Sequence, residues 1–584
     1  MQERLFDAGT SSLSSRVRQA RLSIRRLLLM GHPLRVAWSA GKDSWAVLNL
    51  VLTEAHRVKR DFDFCPPLVV THADSLVDNP EITAHARTGM KEIEEYSARH
   101  GLNVTVRVST PYLNDEFAVK IIGGRSLPVF PGKTHDCTID WKVTPQTRLV
   151  KEIVKDLKKQ GFPPMITLLG TRFDESAVRA RRMNERQETA NEVWANGKGE
   201  EFLSLIADWR DSDVWRYLAA VHQGQTEGVS RLDSLFRLYR DGASESRTED
   251  GCDIFSCRFG CHNCTAGKDK SMEALLARDP KRYGYMEGLN RYQRFLMDTQ
   301  WDFGRRQWIG RTMTEHGYIA IAPDVYSPAM LEELLRYALT LDVREIDAAA
   351  NLGIAPRYQI VSARALIAID AMWSLQGLHP AHHALKIFRD IYQDGHRYDI
   401  PDVVPAKRQP MPQVRYLPAG EGWRTGWDYS GLRNASLEAA TFDQDAPAGC
   451  MGMRELPDGR AVLDVQRGPA LDVDEEGAAW VLGMELDYLL SNYGDNHRHR
   501  TAAYIYYVST GVLQLEAKQP GIIDAILKRS AFKEAMGLTD DGTDSDAILC
   551  QSVSKEEMER RIAHQNDPDA WQDEEALEAR QKYG

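Results

Sequence analysis

Between residues 34 and 168, four apolar runs alternate with longer amphipathic segments. The runs are LRVAW, LVVTHA, NVTVRVS and MITLL. The segments between them repeat apolar residues at i, i+3 and i+4, the spacing of a helix with one buried face. EITAHARTGMKEIEEYSARHG, for example, ends on Gly101, a helix-stop residue. Strands separated by helices return in the same direction and build a parallel sheet. The expected fold class is α/β, with a doubly wound, mainly parallel sheet. A basic amphipathic helix over Arg16 to Met30 precedes it.

A chain of 584 residues is too long for one core, so several domains are expected. The α/β domain is assigned to 1–230, a Cys-rich segment to 231–300, and a largely helical region to 301–400. Residues 401–584 form a linker and a mixed C-terminal region with a charged tail. Within them, the Pro-rich YDIPDVVPAKRQPMPQVRYLPAG reads as an extended strap, and AAYIYYVSTGVLQL as a hairpin or strand pair. The net charge of -11 gives no global support for nucleic-acid binding. ALIAIDAMW is too short to span a bilayer, and the N-terminus lacks a signal-peptide core. A cytoplasmic protein is expected, with its eight cysteines reduced, metal-bound or reactive.

SAGKDS (39–44) lies where the first strand turns into a helix. It is not a Walker A loop, because Asp43 follows Lys42. Ligands bind at the carboxyl ends of strands in such sheets, and a helix N-terminus offers free N–H groups to phosphate. Ser39 and Ser44 add hydroxyls, Gly41 permits close approach and Lys42 adds charge. A turn with a helix cap is the plain alternative. The loop resembles the PP-loop of ATP pyrophosphatases and phosphoadenosine phosphosulfate reductases, with Ala40 replacing a glycine, a change tolerated where φ is negative. Three further stretches follow in that superfamily's order: HADSLVDNPE with Asp74 and Ser75, GTRFDESAVRARRM with Arg172, Glu175, Ser176 and Arg179, and WRDSDVW. The resemblance makes Lys42, Asp43, Arg172 and Glu175 catalytic candidates, and places Asp74, Ser75 and Arg179 beside the nucleotide.

Cys252, Cys257, Cys261 and Cys264 fall within thirteen residues and point to a metal or iron–sulfur site. A zinc knuckle is the structural alternative. Cys137 precedes a helix start, where the dipole would favour a thiolate. Its surroundings resemble the Cys-Cys-x-x-x-K-x-x-P-L segment of iron–sulfur adenylylsulfate reductases, with Asp136 in place of the first cysteine, which makes Cys137 either a cluster ligand or a catalytic, sulfur-carrying nucleophile. Cys257, Cys261 and Cys264 are expected ligands, with Cys137 and Cys252 competing for the fourth place. Cys65, Cys450 and Cys550 have no partner spacing.

CRFGCHNCTAGKDKSMEALL is similar to the RFGC-x-x-C-T and DKSMEAL signature of the DndC family, the sulfurtransferase component of bacterial DNA phosphorothioation, and to the related SspD proteins. Family members place a cysteine seven positions before the RFGC cysteine, where this chain has Ile254. The resemblance implies ATP cleavage to AMP and pyrophosphate, activating a DNA backbone phosphate for sulfur incorporation in a DNA-modification and phage-defence system. It implies ATP, Mg²⁺ and a [4Fe–4S] cluster, with zinc as the alternative occupant. The implied partners are a cysteine desulfurase, DNA-binding and ATPase subunits, and DNA through the complex. A sulfonucleotide reductase is the rival, but its C-terminal Glu-Cys-Gly-x-His is absent; the last cysteine here lies in ILCQSVS. A non-catalytic nucleotide-binding scaffold is the third reading, though Lys42 and Asp43 are both kept. AGKDKS (266–271) reads as a basic turn rather than a second phosphate loop, HPAHH (379–383) and HRHR (497–500) as exposed polar turns rather than metal sites, and RRQWIGR (305–311) as a nucleic-acid surface or a helix carrying extended arginines.

Overall fold

A computed structural model describes residues 12–130, 136–243, 259–420, 422, 453–455, 461–463, 467–493, 500–516, 520–539 and 545–566. The chain divides into two compact units. The first comprises Met1–Pro111 and Lys133–Asn290; the second, Tyr112–Gly132 and Arg291–Gly584. The first unit therefore runs past the expected boundary at 230, and a loop from its middle belongs to the second.

The first unit is built on a six-stranded sheet. Its strands are β1 (Leu34–Ala37), β2 (Leu68–Ala73), β3 (Val104–Ser109), β4 (Ile166–Leu168), β5 (Trp194–Ala195) and β6 (Glu201–Leu203), in the order β3-β2-β1-β4-β6-β5. All neighbours are parallel except β5 and β6. Leu34 pairs with Leu68 on one side and Ile166 on the other, so β1 is central. The α/β, mainly parallel architecture is as expected. The crossovers run outward from β1 to β3 and then return to β4. The strand order thus reverses between β1 and β4, which opens a crevice at their carboxyl ends.

Helices α1 (Leu13–Leu29), α2 (Lys42–Phe62) and α3 (Pro80–His100) carry apolar faces into this core. From Ser44 to Ala55 every residue of α2 is buried. Trp38, just after β1, meets Trp45 of α2 edge to face, their ring centroids 5.1 Å apart. Gly89 of α3 makes room for both. A Cβ there would lie 2.7 Å from the Trp45 ring and 2.9 Å from that of Trp38. Gly101 ends α3 with φ +60, as its sequence implies.

The second unit holds an antiparallel sheet of Arg306–Met313, Tyr318–Tyr326 and Arg415–Pro418. Helices Pro328–Leu352, Ala363–Gln376, His383–Tyr392 and Ala502–Ser509 belong to the same unit. Several sequence expectations change here. AAYIYYVS is a helix, not a strand, and only Leu513–Glu516 after it is extended. All eight of its residues are buried, so it has no polar face from which periodicity could be read. RRQWIGR lies largely in a strand rather than a helix or a nucleic-acid surface. Arg306 is buried over the Tyr326 ring, and the Trp308 indole donates to the Phe303 carbonyl at 3.2 Å. In HPAHH, His379 and His382 are buried. Of HRHR, only Arg500 lies within the described residues. The strap holds as an extended run whose end joins the sheet. Among the described residues no helix is long and apolar enough to cross a membrane.

The packing at Gly89 gives a direct test. Gly89→Ala should lower the unfolding free energy by about 1–3 kcal/mol through overpacking against two indoles, although alanine is the better helix former. Chemical denaturation that shows no loss would mean the tryptophans can move apart freely.

Candidate active site

Local hydrogen bonding fixes the loop after β1. Ser44 Oγ donates to the Gly41 carbonyl at 2.9 Å and accepts from the Ser39 amide at 3.2 Å. The two hydroxyls also pair, at 3.2 Å. Gly41 caps α2 in an extended conformation, which leaves the first-turn amides facing the end of the sheet. Ala40 sits at φ +62. The negative φ that would make alanine harmless is not what this turn adopts; its left-handed geometry costs a non-glycine residue about 1 kcal/mol. His85 of α3 supports the turn from behind through a backbone bond to Ala40. Its Nε2 accepts from the Trp45 indole at 3.0 Å and its Nδ1 meets Ser234 Oγ at 2.7 Å. Gly170, beyond β4, lets the chain approach closely, since a Cβ there would lie 3.1 Å from the Asp43 backbone.

Around this loop runs a chain of opposite charges. Arg172, which is 2 % exposed, donates Nε to Asp43 at 2.7 Å and Nη2 to Asp211 at 2.8 Å. Lys42 Nζ spans the same two carboxylates at 3.1 and 2.9 Å. Asp174 accepts from the Asp211 amide at 3.0 Å. The second Asp211 oxygen, Oδ2, is buried without a hydrogen-bond partner. Glu175 and Arg179 form an ion pair with each other. All of these side chains line a cavity of about 780 Å³.

At the other end of the cavity stand Arg35, Asp78 and Lys142. Arg35 is buried in β1 and bonds only neutral groups: Thr71 Oγ1 at 3.0 Å, Thr167 Oγ1 at 3.4 Å and Gln146 Oε1 at 2.7 Å. Burial lowers its pKa to about 10, so it stays charged at neutral pH. Among the described residues no carboxylate forms an ion pair with it. Glu200 favours its charge electrostatically without an ion-pair contact. A buried cation facing a cavity with no carboxylate in contact is suited to an anionic ligand.

Asp78 accepts from Lys142 Nζ at 3.1 Å and from Cys261 Sγ at 3.8 Å. Asp78 and Cys261 also form an antiparallel bridge, in which the His262 amide donates to the Val77 carbonyl at 2.9 Å. Cys137, Cys261 and Cys264 lie close enough to act on one another electrostatically. Burial, then Cys264, pushes the Cys137 thiol up, the reverse of the dipole-stabilised thiolate expected. Burial, then Asp78, raises Cys261 as well. Burial works against the Lys142 charge, yet Asp78 beside it lifts its pKa. The three sulfurs form a soft donor set suited to iron–sulfur or zinc chemistry. Cys252 and Cys257 lie outside the described residues.

Not every sequence candidate lines the cavity. Asp74 turns back to accept from the Leu76 amide at 2.9 Å, and Ser75 is buried with its hydroxyl unpartnered. Asp78, four residues on, takes the place expected of Asp74. Arg35, Asp78, Lys142 and Asp211 are not among the residues singled out by sequence. A charged residue inside the apolar run LRVAW was the available signal for Arg35. Asp269 of AGKDKS caps the helix Lys270–Arg278, accepting from the Ser271 and Met272 amides at 3.1 Å. Cys65 is half-buried and its thiol is raised to about 11 by burial.

No family model and no curated protein matches the chain. Among solved structures it is similar to the phosphoadenylyl-sulfate reductase of Candida auris in its phosphate complex. That likeness has 15% identity and a TM-score of 0.22, over 38% of this chain and 92% of that one. It is also similar to the U34-tRNA thiolase NcsA of Methanococcus maripaludis with its [4Fe-4S] cluster. There the identity is 10% and the TM-score 0.22, over 60% of this chain and 92% of that one.

The site generates two expectations. Arg35→Gln should weaken binding of inorganic pyrophosphate about tenfold, or about 1.4 kcal/mol, by calorimetry; unchanged affinity would give Arg35 a purely internal role. Burial lowers the His85 pKa from its ordinary 6.5 to about 4. The unfolded chain therefore takes up that proton first. The stabilisation is complete above roughly pH 6.5 and is lost as pH falls toward 4. His85→Gln should flatten the stability–pH curve over this range, and an equally steep curve would clear His85 of the effect.

Proposed function

We propose that the chain is an ATP-dependent, sulfurtransferase-type PP-loop enzyme. It splits ATP into AMP and pyrophosphate to activate a phosphate group, a DNA backbone phosphate in the full reading, for sulfur substitution. One observation carries this. A single cavity is lined by the SAGKDS loop and by Asp78 and Lys142, and Asp78 accepts from Cys261, which stands behind that lining. One carboxylate thus links the wall of the phosphate chamber to the thiols.

In the first step a non-bridging oxygen of the acceptor phosphate attacks the α-phosphorus of ATP. The bond to the β-phosphate breaks and pyrophosphate leaves. The first-turn amides of α2 and Lys42 meet the charge that develops on it. Lys42 turns to the phosphates from Asp43 and Asp211, while Arg172 keeps those carboxylates in place. Asp43 and Asp211 are the oxygen donors for Mg²⁺, which neutralises phosphate charge when bound. In the second step sulfur at the sulfide level attacks the acceptor phosphorus, and AMP departs with the displaced oxygen. Glu175 and Arg179 line the wall along which the acceptor enters.

Cys137, Cys261 and Cys264, with Cys252 or Cys257, would hold a [4Fe–4S] cluster, which when bound supplies a place to keep sulfur beside the chamber. Zinc on the same donors would be structural. Lys142 sits where it can offset negative charge on the thiolates. A cysteine desulfurase is the fitting sulfur donor; its persulfide sulfur reaches the sulfide level when a dithiol reductant supplies two electrons and leaves as a disulfide. DNA-binding and ATPase subunits would bring the DNA, consistent with the acidic net charge of -11.

Anaerobic incubation with α-labelled ATP and Mg²⁺, with and without DNA and a cysteine desulfurase, tests the reading. AMP and pyrophosphate should form, and Lys42→Ala should reduce the rate by about 100-fold or more. ATP left intact under every condition would overturn it in favour of a sulfonucleotide reductase or a scaffold.

A further inference from the structure

HPAHH does not behave as the exposed turn its composition suggests. It links the helix Ala363–Gln376 to the helix His383–Tyr392, wholly within the second unit and apart from the phosphate chamber. We propose that Glu332, His379 and His383 form a transition-metal site of the zinc class, which ties the first turns of the helix Pro328–Leu352 to this turn.

The geometry carries the assignment. One donor atom from each of the three side chains lies within 4.8 Å of the other two. His383 Nε2 is 3.0 Å from Glu332 Oε2. The two imidazoles are stacked, with centroids 4.6 Å apart and planes at 12°, so one ring turns about its side chain for both lone pairs to meet one ion. His379 Nε2 meets the Pro328 carbonyl at 3.1 Å, and only an N–H can do so. The tautomer is therefore fixed, and Nδ1 is the nitrogen with a lone pair. A ligating histidine typically gives its second ring nitrogen to a backbone carbonyl in this way. The other Glu332 oxygen, Oε1, is held by Arg336, so the carboxylate is oriented too.

The backbone between the two histidines supports the same reading. His382 sits at φ +60, a left-handed conformation that a residue with a Cβ avoids. Buried contacts hold it there. Asp370 accepts from the Ala384 amide at 2.9 Å and from the Tyr507 hydroxyl at 2.8 Å, and His382 Nδ1 lies 3.2 Å from that hydroxyl. The left-handed step lets His379 and His383 share one side of the turn with Glu332. The Glu332 and His383 side chains are 20% and 18% exposed, so an ion can enter and a water can fill a fourth position. Two imidazoles with one carboxylate favour zinc over magnesium or calcium, which take all-oxygen sets.

The test uses the full chain and Zn²⁺ alone. After equilibrium dialysis, zinc per chain is measured by mass spectrometry, and thermal midpoints are taken with Zn²⁺ and with chelator. The wild type should hold one equivalent more than Glu332→Gln or His383→Gln, and its zinc-dependent rise in midpoint should vanish in both. That rise should persist when Cys137, Cys261 and Cys264 are all serine, which separates the site from the thiols. Should that variant fail to fold, zinc-edge X-ray absorption of the wild type decides. Nitrogen and oxygen scatterers at about 2.0–2.1 Å support the site, and sulfur alone at about 2.3 Å overturns it. Equal zinc content in wild type and both single variants overturns it as well. None of these outcomes depends on ATP turnover.

Discussion

The first unit is organised around one buried guanidinium. Arg172 follows β4, with Asp174 of its own segment 3.5 Å away, and two further carboxylate partners come from elsewhere: Asp43 opens α2, and Asp211 begins the helix Asp211–His222. One side chain thus locks together three segments that converge on the crevice where strand order reverses. Its closest balance comes from Asp43 and Asp211, and Lys42 is held against the same pair. The cost of burying a cation at 2 % exposure is offset only while both partners stay in place. The loop is therefore pre-organised before a ligand arrives, and binding need only exchange the partners of Lys42.

Much of this unit was legible in the sequence because β1, β2 and β4, buried on both faces, read as continuous apolar runs, while the edge strand β3 alternates. The four runs from Leu34 to Leu168 became β1 to β4, and SAGKDS fell where strand passes to helix. The failures share a physical cause. AAYIYYVS lacks periodicity because it is buried on every side. HPAHH looked polar by composition, yet its imidazoles are satisfied by carboxylate, carbonyl and hydroxyl groups in the interior. Asp74 stood at a strand end, as a ligand-facing acid should, but an Asx turn with Leu76 consumed it and passed the position to Asp78. Arg35 was passed over because a single charge in a strand gives no motif; only its neutral hydrogen-bond partners reveal that no carboxylate touches it.

The Cys-rich stretch shows how a short bridge can relate two motifs that sequence treats separately. One antiparallel pair joins Asp78 to Cys261, and with Lys142 it places the RFGC segment against the loop after β2. Cys137, more than a hundred residues earlier, joins Cys261 and Cys264 through the same Lys142 neighbourhood. The second-strand motif thus joins the cavity wall to the cysteines.

The loop Tyr112–Gly132 is drawn from the middle of the first unit but completes the core of the second. Its Leu113, Phe117, Val119, Ile121 and Ile122 are buried, and the Trp373 indole donates to the Ile122 carbonyl at 2.7 Å, across 251 positions of sequence. During synthesis the ribosome delivers these apolar side chains long before Trp373 exists to cover them. The nascent first unit must therefore carry an uncovered apolar strip until the helix Ala363–Gln376 has emerged. The two units share a folding schedule as well as a chain.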